Sequence, residues 1–164
     1  MNDGDELQFV TLGIDREVFA VPVDAVREIL AMRPMFRVPD APAHVAGLLD
    51  VRGRAVPVID LRIKLGLPAV TTTDNTRILV LEVVVQGRTL ALGLIADRVF
   101  EVAALDPRSI APPPDIGTGW HCDYIRGVGR RGDNFVVIFD LPRLLSSDDV
   151  GHLATMATAE PVTA

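Results

Sequence analysis

Lysine is all but missing from this chain: Lys64 is the single one, and the other basic side chains are arginines. An arginine-rich surface suits planar ion pairs and protein contacts, and a GC-rich genome would give the same bias. Cysteine occurs once, as Cys122, so no internal disulfide can form. Aromatics are sparse: Trp120, Tyr124 and six Phe. No run of about 20 apolar residues exists, and ILVLEVVV is broken by Glu82, so nothing has the length of a membrane-spanning helix. The opening MNDGDELQ is acidic and short, unlike a signal peptide, which points to a soluble cytoplasmic protein. Positive charge is in deficit, 16 basic against 22 acidic side chains for a net charge of -6. Phosphate contacts need a positive field, so nucleic acid is not expected as a partner, and anionic lipid is disfavoured for the same reason.

What is present is aliphatic. Nearly half of the 164 residues are hydrophobic, which is a globular composition. Val and Ile dominate most segments and turn signals recur at short intervals, so the chain is expected to be mostly β. LQFVTLGIDREVFAVPV predicts two strands around a turn near Asp15. VDAVREIL (23–30) predicts a short helix, with Val23, Val26, Ile29 and Leu30 on one face and Asp24 near its start. HVAGLLDV and RAVPVIDL predict a hairpin turning at Arg52-Gly53, and RIKLG one helical turn closed by Gly66. After a polar linker at 68–76 come RILVLEVVV, a Gln86-Gly87 turn, RTLALGLIA and RVFEVAAL. A Pro/Gly-rich loop (106–119) follows, then YIRGVGR and FVVIFDL as a hairpin, and PRLLSS as a short helix.

The chain also resembles itself. GLLDVRGRAVPVIDLRIKL (47–65) echoes GVGRRGDNFVVIFDLPRLL (127–145), with Gly47 on Gly127, Asp60 on Asp140 and Leu65 on Leu145, each 80 positions later. The hairpin before it echoes ILVLEVVVQGRTLALGLIADRVFEV more loosely, at an offset of about 70. The pattern is two copies of hairpin, crossover, hairpin and short helix, each with about five short strands. Too few residues are present for two sandwiches, so two small barrels sharing a hydrophobic seam are expected. The expected division is a short tail (1–6), one domain (7–147) and a weakly helical or disordered tail (148–164). Within the domain a first barrel spans roughly 7–67 and a second roughly 77–147, with strands free to cross between them.

Several motifs invite a catalytic reading and fail a context test. GVGRRG (127–132) spells G-x-G-x-x-G, but the dinucleotide fingerprint needs a helix after it and a strand follows. The RGD at 131–133 is turn composition. Asp60 and Asp140 invite comparison with a carboxylate pair, yet each precedes Leu and a helical turn, where an N-cap is the simpler role. His121 and Cys122 lack a third orienting group and a second metal-ligand pair, while His44 and His152 lie in unrelated segments. No G-x-S-x-G and no Walker loop occurs. No catalytic residue, metal or cofactor is expected. Glu28 and Arg52 remain: a carboxylate and a guanidinium able to meet across the first lobe, or else two solvated charges.

The ordered segments FVTLGIDREVFAVPVDAVREI, VAGLLDVRGRAVPVIDLRIKLGL, TRILVLEV, IADRVFEV, IAPPP, YIRGVGR and FDLPRLL resemble the bacterial chemotaxis coupling (CheW-like) family over about residues 7 to 147. The resemblance implies two five-stranded SH3-like β-barrels with short helices. It implies a non-enzymatic adaptor that joins chemoreceptor cytoplasmic tips to the regulatory domain of the histidine kinase CheA, and other couplers in rings, recruited to membrane receptor arrays. By position, Val26, Glu28, Gly47, Arg52 and Val102 match places associated with receptor docking, and Ala111, Asp115 and Ile116 the loop that contacts the kinase. Asp50 stands where the family often has Asn, Ala111 where a charge can occur, and the resemblance offers no role for Trp120. Other readings are a coupler of a non-flagellar chemosensory pathway (twitching, surface sensing or development), a peptide- or nucleic-acid-binding β-barrel module, and an enzyme using Cys122 with His121.

Overall fold

A computed structural model describes residues 7–85, 87–112 and 124–144. The tails at 1–6 and 148–164, Gln86, Asp115, Ile116, Trp120, His121, Cys122 and His152 lie outside the described residues.

The N-terminal hairpin is β1 (Leu7–Ile14) and β2 (Glu17–Pro22), turning at Asp15-Arg16. A 3-10 turn, Val23–Ala25, leads into β3 (Val26–Ala31). A second hairpin, β4 (Val45–Val51) and β5 (Arg54–Asp60), runs into the one-turn helix α1 (Leu61–Lys64). The pattern then repeats as β6 (Arg77–Val85), β7 (Arg88–Ala96), β8 (Arg98–Leu105), a 3-10 turn at Pro107–Ser109, β9 (Ile125–Arg131), β10 (Asn134–Phe139) and α2 (Leu141–Leu144).

The helix expected over 23–30 is instead a 3-10 turn followed by a strand. From Val26 to Ala31 half-buried and exposed side chains alternate, a period of two. Val26, Ile29 and Leu30 fit a helical face and a strand equally well over so few residues. The tie is broken by β6, whose free edge takes β3 as an antiparallel partner. The hairpin reading of GVGRRG holds: its residues lie within β9 and the turn to β10. Asp60 is the cap of α1, its Oδ1 accepting from the Arg62 amide at 3.0 Å, and Asp140 Oδ1 accepts from the Arg143 amide at 3.2 Å.

The ten strands form two five-stranded mixed sheets, one ordered β8-β1-β2-β10-β9 and the other β3-β6-β7-β5-β4. The two orders are the same order when each strand of one copy is exchanged for its repeat in the other. The sheets therefore do not follow the contiguous halves 7–67 and 77–147: the hairpin β1-β2 completes the sheet of β8 to β10, and β6-β7 completes that of β3 to β5. Register makes the repeat quantitative. Ala20 pairs in parallel with Ile138, and Gly93 with Val58, so the first hairpin repeats 73 positions on and the second 80.

The expected closed barrels are not what forms. Both sheets are open, because β3 and β4, and likewise β8 and β9, are edge strands with no ladder between them. Each gap is entered by an arm of the chain that takes up the neighbouring strand's hydrogen bonds. Phe36 exchanges backbone bonds with Leu48 on β4 at 2.8 and 2.7 Å, and Ala111 with Val128 on β9 at 2.9 and 2.8 Å.

Three apolar clusters follow from the alternation along the strands. Leu49, Val56, Val58 and Ile78 fill the concave side of one sheet, and Phe9, Leu105, Val136 and Ile138 that of the other. The largest cluster is the seam between the sheets, where Val10, Leu12, Ile14 and Phe139 meet Leu79, Leu81, Leu92 and Leu94. Phe19 and Phe139 stack there with ring centroids 5.0 Å apart. Each fully buried Leu or Ile is worth about 1.5–3 kcal/mol, so neither sheet keeps its stability without the other.

Leu81, on β6, is fully buried in that seam. Leu81→Ala is expected to cost about 2–5 kcal/mol and to leave one cooperative urea transition. Amide exchange should speed up in both sheets alike; two separate transitions would contradict a shared core.

Candidate functional site

The hairpin β4-β5 turns on Arg52 and Gly53, whose φ angles of 53° and 85° define a tight type I′ geometry. Asp50 Oδ1 accepts the Gly53 amide at 2.9 Å and holds the turn. An asparagine carbonyl would accept the same bond, so the turn does not require the negative charge that Asp50 brings. The turn aims Arg52 back across the open gap of its sheet, where Nε donates to Glu28 Oε2 on β3 at 3.0 Å. Arg52 is 80% exposed and Glu28 25%. The pair therefore spans two edge strands that no backbone ladder joins. Beside it Arg27 reaches Glu82 on β6 at 3.2 Å, and with Val51 and Val80 these residues line a shallow cavity of about 350 Å³.

At the other end of the gap lies Gly47. A Cβ there would stand 2.5 Å from the Phe36 carbonyl oxygen, closer than any side chain can sit. Gly47 thus acts by absence: it lets the arm cross β4 and leaves Phe36 68% exposed. The second copy repeats the device, since a Cβ on Gly127 would meet Ile110 Cγ2 at 2.6 Å and the Ala111 oxygen at 2.8 Å. It repeats the ion pair too. Glu101 follows Val99 by two as Glu28 follows Val26, both valines pack on the seam, and Glu101 is paired with Arg131. The guanidinium comes one residue earlier than in the first copy, because Gly132 takes the left-handed position that Arg52 fills.

Val26 is half-buried against the seam, so its contribution to any surface is partial. Val102, on β8, is 52% exposed, and its counterpart by the 73-residue offset is Ile29, 45% exposed. Val26, Glu28, Gly47 and Arg52 thus gather around the gap of one sheet, whereas Val102 and Ala111 stand on the other. Ala111 also borders an apolar cavity of about 710 Å³ lined by Phe19, Leu67, Tyr124, Val128 and Val137. Just before it, the Arg108 amide and guanidinium hold the Asp106 carboxyl below the usual carboxylate range. Ile29, Phe36 and Glu101 are the surface residues that sequence reasoning missed, while Arg131 is one of two arginines, with Arg130, that the repeat sets roughly opposite Arg52. Mapping Glu28 forward by 73 rather than about 70 would have found Glu101.

Among the described residues no cluster of three or more His, Cys, Asp or Glu is placed to hold a metal, and no helix is long and apolar enough to cross a membrane. The geometry is that of a surface built to present paired charges and isolated apolar side chains.

Arg52→Ala is expected to change stability by less than about 1 kcal/mol, since the pair is exposed. Gly47→Ala is expected to cost about 1–3 kcal/mol through the displaced arm. Thermal melts of the two variants test this contrast, and equal losses would count against it.

Comparison with known proteins agrees with this architecture. The family model described as CheW-like domain matches residues 8–149. The chain is 30% identical over 156 residues to a "Chemotaxis protein CheW" of Treponema pallidum, covering 95% of this chain and 91% of that protein. It is 32% identical over 148 residues to the protein of that name from Rhizobium meliloti, covering 90% and 92%. Among solved structures, that of the scaffolding protein TtCheW from Thermoanaerobacter tengcongensis superposes with a TM-score of 0.76 at 26% identity, covering 87% of this chain and 94% of that one. The family match over most of the length, joined to the duplicated two-sheet fold, places this chain in the CheW-like domain family of chemotaxis adaptors.

Proposed function

We propose that this chemotaxis adaptor, which couples receptors to the histidine kinase CheA without chemistry of its own, receives a receptor tip helix beside the Glu28–Arg52 gap. The observation that carries the reading is that ion pair, held across two unladdered edge strands. It is too exposed to add much stability, so its fixed geometry is better explained by recognition. Ile29 and Val102 supply exposed apolar contacts on equivalent strands, suited to the apolar stripe of a helix. Val26 and Gly47 act from beneath, one by packing the strand and the other by seating the arm.

The kinase regulatory domain is assigned to the other sheet, at Ala111; Asp115 and Ile116, which the family resemblance joins to it, lie outside the described residues. The apolar cavity beside Ala111 supports this assignment. Ala111 has no charge to offer, so the contact there would be apolar rather than ionic. Binding both partners at once lets the adaptor bias kinase states by holding receptor and kinase in one assembly, and recruits it to receptor arrays at the membrane.

The test is co-sedimentation with receptor signalling fragments and the kinase, together with kinase activity in the mixture. Binding of both and raised activity are expected. Arg52→Ala should weaken receptor coupling roughly fivefold or more and kinase binding much less. Cys122→Ala should leave coupling intact. If the protein neither binds the fragments nor activates the kinase, the coupler reading is wrong. Equal loss of both partners with a lowered melting temperature would make Arg52 a structural residue only.

A further inference from the structure

The two halves are not joined alike. Arg62, on α1, is the only charged side chain that is buried among the described residues, with 7% exposure. Each of its three guanidinium nitrogens donates to a different segment. Nε donates to the Pro68 carbonyl at 2.8 Å, Nη1 to Asp97 Oδ2 at 2.7 Å, and Nη2 to Asp15 Oδ1 at 3.4 Å. Asp97 sits where the chain leaves β7 of one sheet for β8 of the other, and Asp15 in the β1-β2 turn of the second sheet. The same Asp97 oxygen accepts the Asp15 amide at 2.7 Å, and Arg98 Nη2 donates to the Asp15 carbonyl at 3.2 Å. One guanidinium thus ties a helix of one sheet to a turn of the other, through the crossover between them.

The repeat lacks this tie. By the offsets of 80 and 73 fixed above, Arg62 maps onto Pro142 and Asp97 onto Asp24. Pro142 has no donor of any kind to put there. Among the described residues the β2-to-β3 crossover is held by the short 3-10 turn Val23–Ala25, by apolar packing and by the local bond from Arg27 Nη1 to the Asp24 carbonyl at 3.0 Å, none of which reaches the other sheet's turn.

We propose that Arg62 is a positioning residue: it latches the sheets at one of their two crossovers and so fixes the angle between the surface bearing Glu28–Arg52 and the surface bearing Val102 and Ala111. A buried fork of three satisfied bonds has one geometry, whereas an apolar seam tolerates small rotations. Loosening it would spoil docking without touching a partner. That functional half rests on the docking reading above; the mechanical half does not.

The experiment measures the distance between spin labels on the two sheets by pulsed electron resonance, in the full chain carrying Cys122→Ser. Labels at Val84→Cys on β6 and Ala104→Cys on β8 are exposed and lie outside both the latch and the docking residues. The expected result is a narrow distribution for the parent and one roughly twice as wide for Arg62→Ala. Arg62→Lys, which keeps the charge and loses the fork, should fall between. Receptor coupling should drop about fivefold or more with Arg62→Ala. A parental distance distribution in folded Arg62→Ala, with or without a lower melting temperature, would overturn the latch. If Arg62→Ala does not fold, Asp15→Asn with Asp97→Asn replaces it; broadening there supports the proposal, and parental width defeats it. Absence of receptor binding by the parent protein would sink the docking reading and leave the distance result standing.

Discussion

Each sheet of this protein takes strands from both halves of the chain, and the apolar seam that results is the constraint on which the rest depends. Because β1-β2 completes one sheet and β6-β7 the other, the seam cannot be unpacked without dismantling both. The two sheets are therefore held together by core packing, with the Arg62 bonds at one crossover, rather than by a linker. An adaptor with no chemistry has only geometry to transmit, and a shared core is a way to keep two binding surfaces in a fixed relation.

Within that frame the open edges set the character of the surface. A closed ladder would have hidden the backbone of β3 and β4; instead the gap is bridged by an arm at one end and an ion pair at the other. The arm needs a glycine beneath it, which accounts for Gly47 and Gly127 occupying equivalent places. The ion pair is solvent-exposed and so contributes little to folding. It displays a fixed pair of charges at the mouth of the gap. The two gaps are not identical, since the left-handed turn position is Arg52 in one and Gly132 in the other.

Much of this was legible in the residues. Alternating Val, Ile and Leu marked the strands, the Gly47/Gly127 and Asp60/Asp140 correspondences exposed the duplication, and of the two readings open for Glu28 and Arg52, a pair or two solvated charges, the pair is what forms. The exchange of hairpins was not legible, because a period of two says which face a residue occupies and not which strand lies beside it. Val26 to Ala31 misled for a related reason: six residues fit either period, and the decision belonged to the edge of β6. Open rather than closed sheets depended on Phe36 and Ala111 occupying strand edges, which no local pattern announces. The role of Arg62 was hidden because a basic residue after an N-cap reads as surface until its three partners are brought in from afar.

The exchanged topology also bears on how the molecule is made. Val18, in the first hairpin to be synthesised, finds its parallel partner only in Val136 near the end of the domain. At about 5–20 residues per second, roughly ten seconds of synthesis separate the two. For most of that interval, until β8 emerges to pair with β1, the β1-β2 hairpin, with every residue from Phe9 to Ile14 destined for burial, has no sheet to join. A chain whose earliest strands must wait for later ones carries an exposed apolar hairpin through much of its own translation, the state in which aggregation competes with folding.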